Sequence, residues 1–217
     1  MPDSQPQSGT VYNPFLYNAS IEQLQKYLLL AVVVAGKVAR IQQEKLDQFL
    51  AEQARCYQRD KPPGCPVYPT PFDLVRYCIQ FHNNLRQELE LVRMGQYTRV
   101  EKAYRALVCK KLDLKTCSWD DLCEIPGIGM KTASFFILFS RRDARLACLD
   151  THILAYLREY GYPDAPRSTP PPKTYLKWEA IFLARCDELF RNPAEFDFEV
   201  WKARNYGDKQ LIAKKKS

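Results

Sequence analysis

A chain of 217 residues has room for one large domain or two small ones. It buries roughly 70% of the surface its unfolded form exposes, so neither disulfides nor a structural metal are needed to hold a core. Hydrophobic residues are 46% and charged residues 26% of the chain, which excludes global disorder; the net charge of +7 permits a polyanionic partner without requiring one.

The first ten residues, MPDSQPQSGT, contain no basic n-region and no apolar h-region, so no secretory signal is expected. Residues 1–12 are expected to be disordered. Ser20 and Gln23 form a capping box ahead of Ile21, Leu24, Tyr27, Leu28 and Ala31, whose spacing predicts a helix. The apolar run Leu28 to Ala35 falls far short of the ~20 residues needed to cross a membrane, and reads as a fully buried helix. A second helix is predicted after Gly36, through Ile41, Phe49 and Leu50. A proline-rich loop follows from Lys61 to Pro71. Thr70-Pro71-Phe72-Asp73 restarts a helix with proline at its first position, carrying Leu74, Cys78, Phe81 and Leu85. Further helices are predicted over Tyr97–Lys110, Trp119–Cys123 behind Ser118, Met130–Ser140 and Thr151–Tyr160. After a second proline loop, Pro163 to Pro172, come Tyr175–Phe190 and a last helix opened by Asn192-Pro193. No strand pairing and no repeat is evident, so the fold class is all-α, with about ten helices. The cysteines at 56, 65, 78, 109, 117, 123, 148 and 186 include no C-x-x-C pair and are expected to be reduced, buried thiols of a cytosolic protein.

The most informative stretch is Leu122 to Thr132, LCEIPGIGMKT. A short helix ends, Pro126-Gly127-Ile128-Gly129 turns the chain, and a new helix begins at once. The two glycines allow positive φ or close backbone approach, and Ile128 can anchor the turn. The unpaired N–H groups at the start of the new helix then form a concave donor site for one phosphate. The plain alternative is an ordinary αα-turn with a glycine cap. Lys131 follows directly, and LACLDTH places Asp150 at the N-cap of the next helix. The two side chains are nineteen residues apart, one helix and its return, so they can face one cleft. Taken singly, Lys131 reads as a solvated lysine and Asp150 as a plain N-cap.

Together, Pro-Gly-Ile-Gly, Lys131 and Leu-Asp-Thr-His resemble the helix-hairpin-helix superfamily of DNA glycosylases. Gly95-Gln96-Tyr97-Thr98-Arg99 with Lys102-Ala103 is similar to the segment these enzymes carry before the hairpin. A lysine at this place marks the bifunctional glycosylase/lyases. Endonuclease III-like members carry a four-cysteine iron–sulfur loop near the C-terminus, whereas here only Cys186 follows Asp150. The pattern therefore looks most like an 8-oxoguanine DNA glycosylase. The size of the chain and the ending Asp197-Phe198-Glu199-Val200-Trp201-Lys202 resemble the compact archaeal and bacterial branches. The resemblance implies two helical subdomains flanking a cleft within residues 13–208: about 21–145, with the hairpin at 122–132, and about 13–20 plus 146–208. A basic tail, 209–217, follows.

The resemblance implies that a damaged nucleotide is flipped from the duplex. Lys131 is then the nucleophile at C1′, giving a Schiff base and β-elimination, and Asp150 assists its deprotonation and stabilises charge developing on the sugar. Gly127, Ile128 and Gly129 hold DNA phosphate through their backbone. His152 either contacts a phosphate or caps its helix locally. Trp201 either approaches the damaged base or packs in the core. Arg40, Tyr97 and Arg99 either contact the DNA backbone or are ordinary surface side chains. Gly36-Lys37 departs from the Gln- or Asn-containing segment with which many members probe the opposite strand. No cofactor is expected, neither an iron–sulfur cluster nor a metal legible in the sequence, although in the superfamily a cation can bridge the hairpin. The partner implied is double-stranded DNA with a damaged base, bound by a monomer, in the cytoplasm or nucleoid if prokaryotic. The alternatives are the same scaffold acting on oxidised pyrimidines or mismatched bases, and a non-enzymatic hairpin module that needs neither Lys131 nor Asp150. Charge adds little: the stretch from Lys202 to Ser217 holds six bases and one acid, and so most of the +7.

Overall fold

The computed structural model describes residues 15–60, 63–64, 66–82 and 84–206. The expectations for residues 1–12 and for the tail 209–217, like Cys65, lie outside the described residues. Among the described residues all regular structure is helical: ten α-helices and one π-helical turn.

Helix α1 (Ile21–Val33) starts at Ser20, whose hydroxyl accepts from the Gln23 amide while the Gln23 side chain accepts from the Ser20 amide. Its second half is apolar on every face and buried on every face, with Leu28, Leu29 and Val32 fully inaccessible. Burial of each such side chain contributes about 1.5–3 kcal/mol. The helix stops at Val33, so Val34 and Ala35 of the apolar run lie in the following turn. Helix α2 (Ala39–Asp60) packs against it.

The single helix expected from Thr70 through Leu85 is broken. Helix α3 (Pro71–Tyr77) is capped by the reciprocal Thr70–Asp73 box, a π-helical turn takes Cys78–His82, and α4 (Leu85–Leu91) begins afresh behind Asn84. The wider turn rotates the register. Leu85 is fully buried on α4, whereas Phe81, read as a core position, is 52% exposed. Helix α5 (Tyr97–Cys109) crosses α3 and α4. Then come α6 (Trp119–Cys123), α7 (Met130–Ser140), α8 (Thr151–Glu159), α9 (Pro172–Glu188) and α10 (Pro193–Tyr206).

The buried apolar side chains form two clusters. One draws on α1 through α7; the other joins α8, α9 and α10 with Ala147 and Leu149. Cys148 belongs to the first cluster although its two neighbours belong to the second, so the segment leading to Asp150 runs along the seam. Not every described thiol is buried as expected. Cys78, Cys117, Cys148 and Cys186 are, Cys56 and Cys123 are half-buried, and Cys109 is exposed. No described helix is long and apolar enough to cross a membrane.

Candidate active site

The hairpin joins α6 to α7. Helix α6 starts with a Ser118–Asp121 capping box. Behind it the Ile125 amide donates to Leu122 and the Ile128 amide to Ile125. Ile125 and Ile128 are buried and pin the turn to the core. The two glycines differ. Gly127 has φ +88, and a Cβ built there would stand 2.8 Å from the Arg99 carbonyl oxygen, 3.1 Å from Arg99 Cγ and 3.2 Å from Ala103 Cβ. Positive φ and close approach therefore coincide, and only glycine fits. Gly129 is in ordinary extended backbone (φ −98, ψ 174) with nothing within 4 Å of its missing Cβ. Gly127 thus makes the turn, and Gly129 leaves an open face.

Gly129 is also the N-cap of α7 and supplies no capping side chain. The amides of its first turn remain donors, aligned with the positive end of the helix dipole. Arg99 clamps this geometry from behind. Its guanidinium donates to the Gly127 carbonyl at 3.0 Å, to the Val32 carbonyl at 2.6 Å and to Gln96 Oε1 at 2.7 Å. Arg99 is thus neither a surface side chain nor free to reach DNA. Tyr97 lies under the Arg86 guanidinium, and Arg40 is an exposed side chain paired with Glu44. Lys37 folds back so that Nζ donates to the Met94 carbonyl at 2.8 Å. Desolvation, with the charges of Lys45 and Arg99, lowers the pKa of that ammonium.

Lys131 is the second residue of α7 and is half-buried. Asp150 is the N-cap of α8: Oδ1 accepts from the amides of His152 at 2.8 Å and Ile153 at 2.9 Å. Both cap bonds use one oxygen, so Oδ2 is not spent on the cap. The Lys131 and Asp150 charges both bear on the same two buried groups, the Cys148 thiol and the Asp197 carboxyl. The start of α7, the start of α8 and one face of α10 therefore meet at one place.

The segment that delivers Asp150 has no strand partner, and its backbone is held by side chains. The Ala147 amide donates to Glu179 Oε1 at 2.9 Å. The Tyr175 hydroxyl donates to the Ala147 carbonyl at 2.7 Å and accepts from the Leu149 amide at 3.3 Å. The Thr169 hydroxyl donates to the Leu149 carbonyl at 3.0 Å, and the Cys148 amide donates to Asp197. Tyr175 and Glu179 are one turn apart on α9 and both buried. Each buried backbone group here thus has a partner, which removes the cost of an unpaired amide or carbonyl and fixes the approach to Asp150. Burial pushes the Glu179 carboxyl above its usual range, opposed by the Ala147 amide.

The family model for the 8-oxoguanine DNA glycosylase with the helix-hairpin-helix fold matches residues 75–190, more than half of the chain. The chain belongs to the 8-oxoguanine DNA glycosylase family. Two solved structures share the fold. One is the Methanocaldococcus jannaschii 8-oxoguanine glycosylase/lyase in complex with a 15mer DNA containing 8-oxoguanine. It is 22% identical, with 87% of this chain and 84% of that chain covered and a TM-score of 0.56. The other is the 8-oxoguanine DNA glycosylase of the same organism, 24% identical, with 87% and 81% covered and a TM-score of 0.57. No curated protein matches the sequence significantly.

Within this family member, Lys131, Asp150 and the hairpin residues Gly127, Ile128 and Gly129 come together at the heads of α7 and α8. His152 sits in the first turn of α8, half-buried, its amide committed to Asp150. Trp201 is half-buried on α10, one turn beyond Asp197, its ring stacked on Phe198 with centroids 5.9 Å apart. Sequence reasoning missed Asp197, Tyr175, Glu179, Thr169 and the tethering of Arg99. The spacing of Asp197 and Trp201, four residues on one helix, was the available signal for a polar group facing the site.

Proposed function

We propose that this glycosylase excises 8-oxoguanine from duplex DNA and then cleaves the abasic site, with Lys131 as nucleophile and Asp150 as its partner. The observation that carries the reading is Lys131 at the open head of α7 directly behind the hairpin, acting on the same two buried groups as Asp150. The family match supports the lesion, and the solved structures support the fold that presents it.

Backbone donors of Gly127 and Gly129 bind one phosphate without reading sequence, while the Ile128 amide, committed to the Ile125 carbonyl, holds the turn that presents them. The flipped nucleotide places C1′ against Lys131. Lys131 first yields a proton, for which the uncommitted Oδ2 of Asp150 is the acceptor. Nζ then bonds to C1′ while the N-glycosidic bond breaks and its electron pair leaves with the base. The adduct opens to a Schiff base, loss of a C2′ proton expels the 3′ phosphate, and water releases Lys131. The Asp150 carboxylate stabilises positive charge on the sugar during the first step.

The same reading comprises two helical subdomains, about 21–145 and about 13–20 plus 146–208, with the cleft between them. It also comprises an enzyme that is monomeric, needs no iron–sulfur cluster or metal, and works in the cytoplasm or nucleoid of a prokaryotic cell. His152 is assigned to a phosphate and Trp201 to the flipped base.

The test is single-turnover excision on duplexes that each carry one defined lesion. Release of 8-oxoguanine, faster than of an oxidised pyrimidine or a mismatched base, is the expected result. Preference for either of the latter overturns the choice of lesion, and binding without excision of any base returns the protein to the class of hairpin binding modules.

A further inference from the structure

Asp197 is not accounted for by the chemistry above. It lies on α10 and is 7% exposed. One carboxyl oxygen accepts the Cys148 amide; the other, Oδ2, is buried and has no hydrogen-bond partner. An ionised carboxylate with a dry, unpaired oxygen is costly to bury. The groups that face it are Lys131 from α7, Asp150 from the head of α8, Cys148 just before that helix and Cys186 from α9. A second carboxylate beside Asp150 adds like-charge repulsion to the cost of burial. Burial first, and the Asp150 charge second, push Asp197 well above the usual carboxylate range, while the Cys148 amide and Lys131 pull the other way.

We propose that Asp197 is a positioning residue for the reaction: it pins the amide of Cys148, two residues before Asp150, and stands beside Asp150 as an uncharged group rather than as a second anion. The inference rests on the assignment of Lys131 and Asp150 made above. Two consequences follow for that pair. The bond to Cys148 fixes the last backbone amide but one before Asp150, between the amides held by Glu179 and Tyr175. Neutrality of Asp197 leaves Asp150 to act on Lys131 without a neighbouring anion. A second anion would hold the Lys131 ammonium in place and oppose the loss of its proton. A carboxylic acid kept uncharged by its surroundings is an established device of enzyme sites.

The experiment has two parts. Carbon-13 carboxyl NMR on aspartate-labelled protein reads the charge state directly, whatever the substrate. The expected signal is one aspartate still protonated at neutral pH. It disappears in Asp197→Asn, and in Asp150→Asn it ionises at lower pH. Ionisation of Asp197 in the ordinary carboxylate range, or a transition unmoved by Asp150→Asn, overturns the proposal. The second part is single-turnover excision beside binding to a duplex with an uncleavable abasic analogue. Misplacing a reacting group can cost roughly 100-fold, and a loss of that order is expected in Asp197→Ala, with binding retained. Asp197→Asn, which keeps an acceptor for Cys148 and carries no charge, recovers most of it. An Asn variant as impaired as the Ala variant overturns the proposal. A wild-type protein that shows the protonated carboxyl and yet leaves every lesion intact contradicts the glycosylase reading and not the charge state of Asp197.

Discussion

Replacing Gly127 with alanine tests the geometry of the hairpin. Alanine at φ +88 costs about 1–3 kcal/mol in backbone strain alone. The new Cβ also meets the Arg99 carbonyl oxygen at 2.8 Å, with Arg99 Cγ at 3.1 Å and Ala103 Cβ at 3.2 Å. The first contact is with helix backbone, and the other two flank it, so no flexible side-chain end can move aside. Overpacking of this kind costs about 1–3 kcal/mol. The sum, roughly 2–5 kcal/mol, is a large share of the ~5–15 kcal/mol that holds a typical domain folded. Gly129→Ala is the control. Its backbone is extended and nothing lies within 4 Å of the added carbon, so only a fraction of the roughly 1 kcal/mol of N-cap preference is lost. The assay is urea unfolding of both variants, with duplex binding by fluorescence anisotropy. Gly127→Ala is expected to lose roughly 2–5 kcal/mol of stability at unchanged slope. Gly129→Ala is expected to unfold like wild type and bind DNA more weakly, because its open face meets the phosphate. Equal destabilisation by the two substitutions, or a Gly127→Ala protein within about 1 kcal/mol of wild type, would refute the reasoning.

Three further outcomes are expected. Arg99→Met strips the part-buried Gly127 and Val32 carbonyls of their donor and should cost about 2–4 kcal/mol in urea unfolding; a neutral substitution would mean that the tether carries no load. In Asp150→Asn the amide oxygen still caps α8, so the melting temperature should hold, while single-turnover excision falls by about two to four orders of magnitude; wild-type excision would remove Asp150 from the chemistry. Glu179 is an acid whose folded pKa lies above its unfolded one. The stability it lends is full below the unfolded value and is lost as pH rises through the folded one. Glu179→Gln should therefore show a flatter fall in unfolding free energy from acid to neutral pH, and an unchanged pH dependence would contradict the burial argument.

Features written within a few consecutive residues were legible in the sequence. The box at Ser20–Gln23, the restart at Thr70-Pro71 and the cap at Asp150 are local, and the helices start where they say. The hairpin and the Lys131–Asp150 pair were legible for a similar reason, because one helix and its return set their separation. The π-helical turn at Cys78–His82 was not, since one extra residue in a turn leaves no mark in composition. Pro-Gly-Ile-Gly could not tell which glycine turns the chain, because the deciding contact is with Arg99 and Ala103, far upstream. Tyr175, Glu179 and Asp197 looked like ordinary helix residues, and their meaning comes only from packing α9 and α10 against the segment before Asp150. Arg99, an unremarkable charge in the sequence, became the clamp of the hairpin by the same route.

The central claim is that Lys131 bonds to the sugar of an excised 8-oxoguanine nucleotide. Borohydride reduction during reaction with a duplex carrying that lesion, followed by peptide mapping of the adduct, tests it most directly. The account predicts a covalent protein–DNA adduct on Lys131 that is absent from Lys131→Gln. An adduct mapped to another residue, or a Lys131→Gln protein that traps as well as wild type, would contradict it.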